Sequence, residues 1–262
     1  MVRVAFIYDH AYPDIWNDGL HKSLRRLEKD FVIDRYNLRY GEKPTGEYDF
    51  YLGWGAFESP VDVYLQGVDG KKGLCIGGVV EPNKQAYDIV FFETFWFENS
   101  VKDYNRLHAF GINESIYQKL PTVSKWKIWD YISVGAFATW KRLHLVAMKD
   151  GNNLVVGEIQ RDNLNESMPI ADYLVEHGVS VMGMQDPLRL GVLYNMSKKA
   201  YIPATVYGGG ERAVLEARAC GLDVEIESDN PKLQELLESP IYDSIYYSEQ
   251  LKKGIKQCLN LV

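Results

Sequence analysis

Apolar positions along this chain fall in short runs separated by turn residues, and between the runs they recur at helical spacing. Residues 2–8 (VRVAFIY) form an apolar run of the kind found in parallel strands buried on both faces. Residues 15–29 place Ile15, Leu20, Leu24 and Leu27 near helical spacing, which predicts a helix. Residues 31–36 alternate like a strand, and 48–53, 73–77 and 88–93 are three further strand candidates between Gly, Pro and Asp turns. Residues 99–108 read as a helix with Leu107 on its inner face. After Pro121 the alternation starts again. Strands are predicted at 129–134, 153–156, 179–182, 200–203 and 224–227. Helices are predicted at 140–148, 168–177, 188–196, 231–237 and 248–259. Gly178 closes the second of these, and Pro231 opens the fourth, where a helix tolerates proline.

Strand and helix signals that alternate in this way predict an α/β fold with parallel sheets, organised as two Rossmann-like domains facing each other across a cleft. The expected domains are 1–115 and 116–245, with 246–262 as a terminal helix packing back on the first. Residues 111–125 form the expected linker. No internal repeat or low-complexity tract interrupts the pattern.

Composition narrows the class without deciding it. Fractions of 46% hydrophobic and 25% charged residues are ordinary for a soluble globular protein. A net charge of −7 argues against a strongly nucleic-acid-binding surface. Three widely spaced cysteines form neither a disulfide framework nor a zinc pattern, which fits a reducing, cytoplasmic setting. The N-terminus reads as a strand rather than a signal peptide, and no segment approaches the ~20 apolar residues of a membrane span. Tyrosine and tryptophan are abundant, which suits sugar stacking and core filling alike.

Candidate chemistry concentrates in 201–221, YIPATVYGGGERAVLEARACG. A β-rich run leads through Gly208, Gly209 and Gly210 into a short helix carrying Glu211 and Glu216 and stopped by Gly221. The glycines let backbone N–H groups approach a ligand, and the helix adds its positive end, so the junction suits a phosphate. The two glutamates are placed to grip hydroxyl groups of a ribose and a sugar. A second strand end, SVGAFATWKR, carries Gly135 with Lys141 and Arg142 six and seven residues on. Ligands of open α/β sheets sit beyond the carboxyl ends of strands, so Lys141 is placed to meet the same ligand.

The order of these pieces resembles the retaining nucleotide-sugar glycosyltransferases of the GT-B fold, family 4. HAFGINESIY (108–117) resembles the segment where those enzymes leave the N-terminal domain. SVGAFATWKR and VVGEIQRD (155–162) are similar to their Val-Gly strand ends. VSVMGM (179–184) and LYNMSKKAYIP (193–203) follow in the family's order, and GGGERAVLEARACG is the best match. The resemblance runs through the whole chain and is densest over 108–237. It implies that Glu216 holds the donor's ribose hydroxyls and that Lys141 contacts the donor phosphates. Gly209 and Gly210 then match the loop facing the donor, and Gly19 the glycine loop that closes on the diphosphate.

Three positions depart from the family. Its first glutamate falls on Gly208, which leaves Glu211 as a neighbouring substitute for the donor sugar. The arginine after the strand-end glycine is Ala136, which leaves Arg142 to supply charge. The N-terminal histidine has no clear counterpart; Asp9, His10 and His21 are substitutes. FFETFWFEN (91–99) is a candidate acceptor lining, and Lys22, Arg25, Arg26 and Lys29 are a basic helix face suited to an anionic acceptor or peripheral membrane contact.

The resemblance implies a metal-independent, retaining transfer of a sugar from a nucleotide diphosphate donor. Lys141, Arg142 and Glu211 are the expected catalytic residues, and Gly19, Gly135, Gly208, Gly209, Gly210 and Glu216 the donor-binding ones. No cofactor beyond the donor substrate is expected, and the acceptor stays open. A degenerate nucleotide-sugar binder and a nucleotide-sugar epimerase are the rival readings. A transferase acting on DNA is disfavoured by the acidic balance.

Overall fold

Strands made of short apolar runs need cover on both faces, and in a parallel sheet the crossover helices supply it. The computed structural model describes residues 1–10, 18–76, 86–160 and 163–261. It divides into two units, Met1–Asn113 with Tyr242–Val262, and Glu114–Ile241.

The first unit carries β1 (Arg3–Tyr8), α1 (Gly19–Leu27), β2 (Val32–Asn37), β3 (Phe50–Trp54), α2 (Pro60–Gln66) and β4 (Lys72–Ile76). After these come β5 (Ile89–Phe92), the single turn α3 (Phe95–Glu98) and β6 (Arg106–His108). Its sheet order is β2-β1-β3-β4-β5-β6, and every pairing is parallel. The second unit carries β7 (Trp129–Val134), β8 (Asn153–Val156), α4 (Leu164–Glu176), β9 (Ser180–Met182), α5 (Pro187–Asn195) and β10 (Ser197–Ile202). It continues through α6 (Glu211–Ala219), β11 (Asp223–Ile226) and α7 (Pro231–Glu238). Its order is β11-β10-β7-β8-β9, again all parallel. The direction of winding reverses between β7 and β10, so the carboxyl ends of those two strands form the switch point where such sheets bind ligands.

The last helix, α8 (Ser244–Cys258), belongs to the first unit. Asp243 caps its start by accepting from the Tyr246 N–H. Tyr247, Leu251 and Ile255 enter one core with Leu20, Leu24, Phe6 and Phe91. The other face of the sheet buries Ile7, Val61, Leu65, Leu74 and Phe92. Ser23 Oγ donates to the Ser244 carbonyl at 3.1 Å and Arg26 Nε to Ser244 Oγ at 2.9 Å, so part of the basic face of α1 is used to seat α8.

Several elements differ from the sequence expectation. Residues 140–148 form two 3₁₀ stretches, Thr139–Lys141 and Leu143–Met148, instead of one helix. Arg142 between them is left-handed (φ 49), and a single left-handed residue breaks the hydrogen-bond ladder. Residues 99–108 yield the turn Asn99–Val101 and strand β6, because pairing with β5 overrides local helical spacing. Helix α2 was absent from the expectation, although Ser59 caps it and Pro60 opens it. Of the predicted elements, Ile15 and Gly77 lie outside the described residues, as do Arg161 and Asp162.

Two consequences can be measured. A Cβ on Gly19 would lie 1.9 Å from the Gly111 carbonyl oxygen, backbone against backbone. Gly19→Ala is therefore expected to cost about 1–3 kcal/mol, seen as a lower urea midpoint with α1 and α8 loosened. His108 ends β6 with Nε2 on the Glu93 carbonyl (3.0 Å) and Nδ1 on the Tyr246 hydroxyl (2.9 Å). Burial pushes it down to about 4, against the pull of the Glu93 carbonyl. Its folded pKa lies below the unfolded value, so its contribution is fully present above pH ~6.5 and lost as pH falls towards 4. His108→Gln should flatten the fall in urea midpoint across that window; an unchanged slope counts against it.

Candidate functional site

At the switch point of the second unit, the loop after β10 meets the loop after β7. Thr205 N–H donates to the Trp140 carbonyl at 2.9 Å. Gly208 N–H turns back to the Thr205 carbonyl at 2.8 Å, so that amide is used within the loop. A Cβ on Gly208 would stand 2.5 Å from the Trp140 oxygen, which explains why glycine occupies this position. Gly209 and Gly210 take φ of 62 and 109, backbone that other residues rarely adopt. Gly210 is the N-cap of α6, and no side chain caps that turn. The first-turn N–H groups of α6 therefore keep the positive character of a helix start.

Lys141 reaches this loop by a path cleared of side chains. Its stem runs over Gly135, with Cδ, Cε and Cγ 3.3, 3.5 and 3.6 Å from where a Cβ would be. Its ammonium lies 3.2 Å from the corresponding point on Gly209, and Glu211 Oε2 lies 3.1 Å from that same point. Gly157, at the end of β8, is equally constrained: its Cβ would fall 1.7 Å from the Gly135 oxygen. Gly135, Gly208, Gly209, Gly210, Lys141 and Glu211 are thus brought together.

The other expected residues occupy different surroundings. Arg142 donates from Nε to the Pro203 carbonyl (2.6 Å), from Nη1 and Nη2 to the Asp229 carboxylate (2.8 and 2.7 Å), and from Nη2 to the Ala204 carbonyl (3.4 Å). This bidentate pair lowers the Asp229 pKa, and Asp229 in turn raises that of Arg142. Arg142 thereby clamps the exit of β10 to the start of α7. Asn230, fully buried, adds a bond from Nδ2 to the Ala204 carbonyl at 2.8 Å while its Oδ1 caps α7. Glu216 lies on the buried side of α6 at 4% exposure, beside the Tyr194 hydroxyl and the Cys220 thiol. Burial first, then the Glu216 charge, pushes Cys220 up to about 12 and Tyr194 well above its usual value.

In the first unit, Gly19 packs on the Gly111 backbone as described above. His21 is 2% exposed and bonded through Nδ1 to Asp18 at 2.9 Å. His10 N–H donates to Asn37 Oδ1, and Asp9 pairs with Arg39 at 2.9 Å. Phe95 stacks on His108 with centroids 4.6 Å apart. Among the described residues, no cluster of His, Cys, Asp and Glu could hold a metal ion, and no helix is long and apolar enough to cross a membrane.

No family model matches this chain, and no curated protein matches it in sequence. Solved structures do match. HepE of Anabaena, in complex with UDP and glucose, shares 10% identity at a TM-score of 0.65, covering 99% of this chain and 90% of HepE. Sucrose-phosphate synthase of Thermosynechococcus elongatus shares 13% at 0.68, covering 99% and 94%. A putative UDP-N-acetylglucosamine 2-epimerase of Listeria monocytogenes shares 10% at 0.51, covering 100% and 91%. The chain has the GT-B fold. Within that fold, Gly135 and Pro203 follow the central strand β7 and its neighbour β10 in the second sheet.

Sequence reasoning missed Asp229, Asn230 and Lys232, which approach this loop from the start of α7. An Asp-Asn-Pro run before a helix marks a cap but does not say what the cap touches. The clamp can be tested by hydrogen exchange. Arg142→Met should release protection at Thr205 and Gly208 more than Asp229→Asn does, because it also removes the bonds to Pro203 and Ala204. Equal protection in both variants and the parent would contradict this.

Proposed function

We propose that this protein transfers a sugar from a nucleotide diphosphate donor to an acceptor, with the donor on its second unit. The observation that carries this reading is the convergence of the Lys141 ammonium and the uncapped α6 N-terminus on Gly209, at the switch point of a parallel sheet. A cation and a helix start aimed at one spot suit a doubly charged phosphate group more than a neutral ligand. That HepE is seen with UDP and glucose supports the choice of donor class.

In this reading Lys141, with the Gly209 and Gly210 amides, stabilises the charge that builds on the departing diphosphate. The family resemblance assigns the ribose hydroxyls to Glu216, and Glu211, whose Oε2 faces Gly209, serves the donor sugar. Gly135 gives Lys141 its path, and Gly208 lets the loop close on Trp140. Arg142 acts through the loop it clamps. Gly19 fixes α1 at the carboxyl edge of the first sheet. The acceptor hydroxyl attacks on the face from which the diphosphate leaves, with a donor phosphate oxygen taking the proton, so the sugar keeps its anomeric configuration. In this proposal Lys141 and the α6 N-terminus take the part that a metal ion would otherwise play, and the proposed setting is cytoplasmic. The domain assignment follows the same scheme, with the first unit presenting the acceptor.

A second reading, a nucleotide-sugar epimerase, is favoured by the likeness to the Listeria protein. An epimerised donor formed without acceptor would decide for it.

The first test is a thermal-shift panel of nucleotide diphosphates and their sugars, since a ligand that binds the folded state raises its melting temperature. A shift by at least one of them is expected, and none by any would sink the reading. Lys141→Ala should then lower turnover, as transfer or donor hydrolysis, about 10²–10³-fold with little change in melting temperature. Glu216→Ala should weaken nucleotide binding roughly tenfold or more. Anomeric retention is read from the product by NMR, and metal independence from activity in chelator.

A further inference from the structure

Lys232 has no part in the scheme above, yet its placement is unusual. It follows Pro231 in the first turn of α7 and is 3% exposed. A buried ammonium needs a partner, and a lysine at a helix start opposes the helix dipole. The partner is Glu211, the first residue of α6, with Nζ 2.5 Å from Oε1 and side chains 3% and 7% exposed. The other carboxylate oxygen, Oε2, faces Gly209, where the Lys141 ammonium also points. One carboxylate therefore has a buried lysine behind it and a second lysine in front.

For a loop that receives a diphosphate, this carboxylate is an electrostatic obstacle. Left uncompensated, it would repel the ligand's like charge and draw on the positive charge of Lys141. Lys232 acts on the far oxygen, so it offsets the charge without entering the space above Gly209. Low exposure keeps solvent and salt from screening the pair, which makes the compensation effective.

We propose that Lys232 is a positioning residue of the donor site. It holds Glu211 pinned and charge-compensated, so that Lys141 and the α6 N-terminus meet the nucleotide diphosphate unopposed. This rests on the donor-site reading given above. The competing explanation is a staple between α6 and α7 with no effect on ligand charge.

UDP is the probe, because it carries the diphosphate and lacks the sugar that Glu211 is proposed to serve. Its binding is measured by titration calorimetry, beside melting temperatures, for the parent chain and four variants. Lys232→Met is expected to weaken UDP binding at least tenfold, and Lys232→Arg to stay within threefold of the parent. Glu211→Gln is expected to bind UDP at least as tightly as the parent. Joining Glu211→Gln to Lys232→Met should restore affinity to within threefold, because the obstacle and its compensation leave together. A staple alone predicts lower melting temperatures with UDP affinity unchanged across the series, which overturns the proposal. Weaker binding by Glu211→Gln also overturns it, and that variant decides the matter if Lys232→Met does not fold. If the parent chain binds no nucleotide diphosphate, the donor-site reading fails and this inference with it. If the parent binds UDP and Lys232→Met binds equally well, the role of Lys232 alone fails.

Discussion

The candidate site depends on a close backbone approach. The loop after β10 can reach the loop after β7 because Gly208 lacks a Cβ where the Trp140 carbonyl oxygen stands. The Thr205 amide then bonds that oxygen, which is what sets the stem of Lys141 over Gly135 and its ammonium over Gly209. A methyl group at Gly208 would part the two loops. Gly157 continues the same constraint one strand further, against the Gly135 carbonyl. Three strand ends are therefore joined by backbone contacts that only glycine permits.

Charge is arranged around this backbone frame in two layers. Arg142 and Asn230 hold the carbonyls of Pro203 and Ala204, which fixes the exit of β10. Glu211 and Lys232 form a buried pair beside the helix start. Buried ion pairs contribute little net stability, because desolvation offsets most of their attraction. Glu216 belongs to neither layer. It lies within the unit beside Tyr194 and Cys220, where burial first and then its charge raise the pKa of both groups.

Much of the fold was legible along the chain. Strands β7 and β8 were read with their observed boundaries, since apolar runs of that length between turn residues leave few alternatives. Helix α6 was equally plain, with glycines before it and Gly221 after. The failures share one cause. At 99–108 the spacing of Leu107 suggested a helix, while pairing of β6 to β5 decided a strand. At 140–148 local pattern pointed to one helix, while a left-handed Arg142, held by Asp229 and two carbonyls distant in sequence, split it. The packing of the candidate donor glycine Gly19 against Gly111 was likewise not visible along the chain.

By itself, then, the sequence determined the alternation of strands and helices, the parallel character of both sheets, and the glycine-rich entry into α6. These follow from local periodicity and from turn chemistry, which neighbouring residues decide among themselves. Which side chains meet at the switch point was settled only in three dimensions. Lys141, Glu211 and Lys232 come from three separate segments, and their charges acquire meaning only once the chain brings them together. A lysine in the first turn of a helix reads as a solvated residue until its burial against Glu211 is seen, because desolvation and Coulomb attraction depend on distance in space and not on separation along the chain.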